Sequence, residues 1–205
     1  METRYFKVVI SGRSILMHNG QLADPLNPFT KALKEYTSKR KKSDDDHLKV
    51  AELEFQGSLY FDDAIGPYIP GHVIDATIKN GAKKKKLGTI FESCVSTVDG
   101  MYPLQYKGPR TREALWADPR FRDRRGCGVQ QARVIRTRPK FTDWSLEFDL
   151  QLFPCELNPK DIEQAIIDAG IYVGLLDFRP RFGLFELKEF KQAKKPLGET
   201  AAAAE

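Results

Sequence analysis

Apolar and polar side chains alternate most clearly between residues 144 and 152, where Trp144, Leu146, Phe148, Leu150 and Leu152 share one parity and Ser145, Glu147, Asp149 and Gln151 the other. A period of two is that of a half-buried strand. The same period runs through residues 4–10, with Phe6, Val8 and Ile10 opposite Tyr5, Lys7 and Val9, and stops at Ser11-Gly12. Elsewhere the period becomes helical. Val73, Ile74, Thr77, Ile78, Gly81 and Ala82 fall on one face, while Asp75, Lys79 and Lys83 form another line at i, i+4. This helix starts directly after Gly66-Pro67-Tyr68-Ile69-Pro70-Gly71, whose prolines and glycines exclude a helical backbone. Ile162, Ala165, Ile166 and Ala169 mark a second amphipathic helix, opened by Asn158-Pro159 and stopped by Gly170.

Further elements are weaker in pattern. Residues 29–42 read as a helix ending in a basic run, Ser43 caps a second helix over 44–56 whose first turn carries Asp44, Asp45 and Asp46, and 58–61 resumes extended structure. Strands are predicted over 89–98, before a turn at Asp99-Gly100, and over 184–190; 129–138 is extended and 139–143 is a turn. With insertions at about 11–70 and 87–128 set aside, the order is strand, helix, strand, strand, helix, strand. That order is the ferredoxin-like α+β arrangement, βαββαβ with an antiparallel sheet. A single domain is expected over 1–190, with 191–205 a disordered tail.

Composition adds limits. The chain has 205 residues with 41% hydrophobic and 30% charged residues, and a mean hydropathy of −0.46, as in a folded protein with a charge-rich surface. No apolar run approaches the roughly 18–20 residues that span a bilayer, and the N-terminus lacks the order of a signal peptide, so a cytoplasmic protein without a membrane partner is expected. Cys94, Cys127 and Cys155 are odd in number and far apart in sequence, which argues against a metal site and a disulfide framework. No cofactor motif of the Walker, dinucleotide or nucleophile-elbow kind is present.

The net charge of +5 is modest; its distribution is more informative. Arg110, Arg112, Arg124, Arg125, Arg133, Arg136 and Arg138 crowd a stretch with few acids. Guanidinium groups bind phosphate bidentately and stack on unpaired bases, so this enrichment points to single-stranded nucleic acid, against a salt-bridged surface or a protein interface as the plain alternative. Lys39, Arg40, Lys41 and Lys42 form a second basic cluster, and Lys83-Lys84-Lys85-Lys86, with Lys79 a turn earlier, a third, although lysines at a helix C-terminus are stabilising by about 0.3–1 kcal/mol without any ligand. Arg13 follows the first strand. Glu147 and Asp149 on the polar face of the 144–152 strand would repel phosphates, which places the expected interface on loops and insertions instead of the sheet.

Two segments carry a family resemblance. The run Pro67-Tyr68-Ile69-Pro70-Gly71-His72 through Lys79, at the entry to the first core helix, resembles a signature of the RAMP superfamily, with His72 and Val73 where serines are usual and Asp75 near the usual lysine. Gly174-Leu-Leu-Asp-Phe-Arg179-Pro-Arg181-Phe-Gly183 is similar to that family's glycine-rich loop, keeping the outer glycines and the basic residues but not the dense glycines between them. The resemblance implies a ferredoxin-like protein that binds guide RNA, nearest to the subunits that coat RNA in CRISPR effector complexes, with self-association along the strand and an inserted thumb after the first core helix. His72, Gly174, Arg179, Arg181 and Gly183 then join the expected RNA contacts, and no cofactor or metal is expected. Three other readings stand beside it: a phage single-stranded DNA-binding protein, an endoribonuclease using His18 as general acid or base, and a protein-docking module without nucleic acid.

Overall fold

The computed structural model describes residues 2–98, 100–129 and 132–193. In chain order its elements are β1 (Arg4–Leu16), α1 (Pro28–Thr37), α2 (Asp44–Ser58), β2 (Phe61–Asp62), β3 (Gly66–Pro70), α3 (Gly71–Ala82), α4 (Gly88–Cys94), β4 (Val95–Thr97), β5 (Met101–Pro103), α5 (Arg112–Ala117), β6 (Arg122–Val129), β7 (Ala132–Leu152), α6 (Pro159–Tyr172) and β8 (Glu186–Ala193). They sort into two units: Met1–Ile15, Tyr68–Lys107 and Thr142–Glu205 form the first, Leu16–Pro67 and Gly108–Phe141 the second. Of the two expected insertions, residues 16–67 and 108–128 fall in the second unit together with 129–141, and residues 87–107 fall in the first.

The first unit is ferredoxin-like. Its sheet has the order β4-β7-β1-β8, with β1 antiparallel to β8 from Tyr5↔Ala193 to Ser11↔Glu186 and β4 antiparallel to β7 from Val95↔Leu152 to Thr97↔Leu150. Helices α3 and α6 lie against each other, α3 also meeting β4 and α6 meeting β8. The period-two strand behaves as its pattern demands: Trp144, Leu146, Phe148, Leu150 and Leu152 are all buried, each contributing about 1.5–3 kcal/mol of apolar transfer. Helix α6 starts where it does because Asn158 and Asp161 form a reciprocal capping box with Pro159 at the first position. Its Ile162, Ala165, Ile166 and Ala169 are buried.

Several local expectations change. The 89–98 segment begins as helix α4, in which Phe91 N–H donates to Leu87 O at 3.0 Å, and becomes extended only at Val95. The 139–143 turn does not form: β7 runs straight through it, absorbing the irregularity at Asp143 with φ +47°. Asp149 does not face solvent but is only 6% exposed, with Val98 and Tyr102 against it; its carbonyl accepts from Val98 N–H at 3.0 Å and Tyr102 O–H at 3.2 Å. Helix α1 stops at Thr37 instead of 42, since the like charges that follow it gain nothing from helical stacking. Strand β8 extends into the expected tail, to Ala193; residues 194–205 and Asp99 of the expected turn lie outside the described residues.

In the second unit, α1 lies against α2, which opens on a Ser43–Asp46 capping box. The arginine-rich stretch, irregular in its sequence pattern, is a β-hairpin: β6 pairs antiparallel with the first half of β7 from Arg122↔Pro139 to Val129↔Ala132.

Candidate nucleic-acid interface

The 174–183 loop of the first unit is closed by its two glycines. Leu175 N–H donates to Gly183 O at 2.9 Å, and Gly183 N–H donates to Ser14 O on β1, also at 2.9 Å. Gly183 has φ +83° and would place a Cβ 2.0 Å from Leu175 O, so no side chain fits there; Gly174 has φ +78° with its nearest neighbour at 3.1 Å. Leu176 and Phe178 also take left-handed backbones, at φ +61° and +59°, which non-glycine residues adopt at a cost of about 1–3 kcal/mol each. The result is a tight protrusion on which Phe178, Arg179 and Arg181 are exposed. Arg179 anchors one guanidinium N–H on Gly174 O at 3.4 Å.

Near this loop in the same unit, Arg13 is exposed on β1. His72 is exposed in the first turn of α3, and Lys83 is exposed at its end. Lys79 is engaged: it pairs with Glu92, holding that carboxyl below its ordinary range. Lys84 sets its ammonium 4.8 Å from the centre of the Tyr172 ring. Glu147, expected to repel phosphates, is paired with Lys7 at 2.6 Å. Asp75 accepts from Thr97 N–H at 2.8 Å and its hydroxyl at 3.2 Å, tying α3 to β4; burial, outweighing these bonds, raises its pKa.

The second unit divides its arginines by face. Residues opposite one another in an antiparallel ladder share a face, so the register puts Arg125, Arg136 and Arg138 on one side of the hairpin and Arg124 and Arg133 on the other. The first group is committed to the fold. Arg136 donates to the buried Glu54 at 2.5 Å, Arg138 to Ser58 Oγ at 3.3 Å, and Arg125 is clamped by Asp123. Arg124 and Arg133 are exposed, on the face that also carries the exposed Ile135 and the side-chain-free Gly126 and Gly128. Arg112 is a structural residue: it donates to Gln56 O at 3.2 Å and Phe61 O at 3.4 Å, with its guanidinium 4.4 Å from the Phe61 ring centre. Arg110 is exposed, its backbone against Gly66.

The basic run after α1 is also divided. Lys39 pairs with Asp46 at 2.5 Å, which lowers the pKa of that carboxyl, and Lys42 donates to Lys39 O at 2.9 Å; Arg40 and Lys41 project outward. Asp44, Asp45 and Asp46 form the first turn of α2, and among the described residues no acidic, histidine or cysteine cluster could hold a metal. His18 is half-buried just beyond β1. Cys94 and Cys155, far apart in sequence, are neighbours, and burial raises the pKa of Cys155. Sequence reasoning missed Tyr172 and Phe178. The available signal was an apolar pair, Ile171-Tyr172, placed beyond the buried stripe of α6.

No protein-family model matches this sequence. No curated protein matches it either. Among solved structures, a chain in the cryo-EM structure of the Type III-B Cmr-beta bound to cognate target RNA shares the fold, with a TM-score of 0.50 and 14% identity over 93% of this chain. This chain spans 61% of the length of that one. Among the described residues, no helix is long and apolar enough to cross a membrane.

Proposed function

We propose that this chain is a non-catalytic, RAMP-type protein that binds single-stranded RNA and assembles side by side along it. The observation that carries this reading is the 174–183 loop, where two left-handed glycines close a protrusion that presents Arg179 and Arg181 to solvent. Backbone amides and guanidinium forks on such a turn suit phosphate oxygens, because close approach is unobstructed and each contact is charge-assisted. Arg13, His72 and Lys83 add donors in the same unit. In the other unit, Arg124 and Arg133 on the open face of the hairpin suit a strand's phosphates or bases, as expected of an inserted thumb. The shared fold with a chain from an RNA-bound complex favours RNA over DNA.

Anisotropy of labelled single-stranded RNA and DNA of one sequence, titrated at several salt concentrations, tests the reading. Arg179→Glu with Arg181→Glu should weaken binding and flatten the logarithmic salt dependence by about 1.4, two phosphate contacts at roughly 0.7 each, while leaving the unfolding curve unchanged. An unchanged affinity would remove the loop from the interface. A clean monomer that retains no strand even at low salt sinks the proposal.

A further inference from the structure

The C-terminal turn of α6 and the loop that follows enclose a cleft of about 520 Å³. Two aromatic rings line it: Tyr172, 58% exposed at the end of the helix, and Phe178, 40% exposed on the protrusion. Val173, Leu176 and Pro180 complete the apolar lining, and Asp177 and Arg179 are its charged members. Neither ring is free to collapse onto the core. Phe178 is held by the left-handed backbone at φ +59° and by the edge of Phe182, whose centroid lies 6.2 Å away. Tyr172 is braced by the Lys84 ammonium 4.8 Å from its ring centre. Large exposed apolar side chains mark contact surfaces, and this patch is ringed by cations: Lys84, Arg179 and the exposed Arg181.

The chemistry of an occupant follows from that combination. An apolar peptide segment would be served by the rings and gain little from the cations; a phosphate alone would be served by the cations and not the rings. A nucleotide uses both, its base offering a π-face and its phosphate a charge. We infer that the cleft between Tyr172 and Phe178 takes one unpaired base of the bound strand by stacking, with the adjoining phosphate toward Arg179 and Lys84. This deepens the strand-binding reading and rests on it. Stacking of this kind tolerates any base, so it adds affinity without reading sequence.

The test compares an RNA oligonucleotide with an abasic strand of equal phosphate number, against wild-type protein, Tyr172→Ala, Phe178→Ala, the double variant and Tyr172→Phe. Wild type should prefer the base-bearing strand. Each alanine variant should lose about five-fold or more of that preference with the salt dependence intact, and Tyr172→Phe should retain it. A strand carrying 5-iodouridine, irradiated with unmodified protein, should crosslink to Tyr172 or Phe178 by mass spectrometry, which needs no variant to fold. Unchanged discrimination in the double variant, or crosslinks confined to other residues, overturns the cleft while leaving strand binding standing. Loss of self-association in the alanine variants with strand preference unaltered overturns it in favour of a protein contact. Wild-type protein that holds neither strand overturns the underlying reading and the cleft together.

Discussion

Replacing Gly183 with alanine perturbs the loop at its tightest point. At φ +83° an alanine carries a left-handed penalty of about 1–2 kcal/mol. Its Cβ would also stand 2.0 Å from the Leu175 carbonyl oxygen, a backbone atom that can yield only by opening the mouth of the loop. Opening breaks the Leu175–Gly183 and Gly183–Ser14 hydrogen bonds, worth about 0.5–1.5 kcal/mol each. The stiffer unfolded chain returns about 0.4–1 kcal/mol. The net loss is about 1–4 kcal/mol, and at about 2–4 °C per kcal/mol for a chain of this size the melting temperature falls by several degrees or more. Gly174→Ala is the milder comparison: its φ is similar, at +78°, but its Cβ would stand 3.1 Å from Gly183 C, so beyond the left-handed penalty that backbone need give by only a few tenths of an ångström. Thermal unfolding followed by circular dichroism ranks the two, and anisotropy with single-stranded RNA reports whether the displaced loop weakens binding. Equal melting shifts for the two variants, or a Gly183→Ala protein as stable as the wild type, would refute the claim that this contact sets the loop.

Arg112→Ala should lower stability by about 1.5–3 kcal/mol through its lost charge-assisted bonds with little effect on strand affinity, whereas Arg124→Ala with Arg133→Ala should do the reverse; melting and anisotropy on both proteins separate the roles. Glu54→Ala orphans the Thr137 N–H that donates to it at 2.9 Å, at a cost of about 1–3 kcal/mol, measurable by urea unfolding. Asp75 is raised by burial, so the folded state holds its proton more tightly than the unfolded chain. Stability from this group is therefore present at low pH and falls as pH rises from its ordinary 3.8 through the raised value. Asp75→Asn should lack that decline, so its stability relative to wild type should improve as pH rises over that window; a parallel pair of stability profiles would contradict the assignment.

Where local pattern and tertiary burial agree, the sequence is readable. Trp144 to Leu152 alternates because one side of β7 is core, and Asn158 with Asp161 announces α6 by a capping geometry that needs no distant partner. The hairpin of β6 and β7 is illegible for the opposite reason. Gly126 and Gly128 have low strand preference, and the arginines of both faces look alike until their partners are known. Glu54 lies 82 residues from Arg136, so charge counting could see the cations but not which of them were neutralised. Helix α4, at 7 residues, is too short for its period to be distinguished from that of a strand. Tyr172 and Phe178 were overlooked because a residue's value as an exposed ring depends on what fails to cover it, which local sequence does not encode.

The pairing of Tyr5 with Ala193 has a consequence for synthesis. Strand β1 leaves the ribosome well before β8, so this edge of the sheet closes only after all the elements between them have been made. Until then β1 offers an unpaired, apolar edge, the kind of surface on which chains aggregate, and contacts of such long sequence separation form slowly. Chains shortened before β8 should therefore fail by accumulating as insoluble material during expression, even though the strand they lack lies outside the arginine-rich half of the molecule.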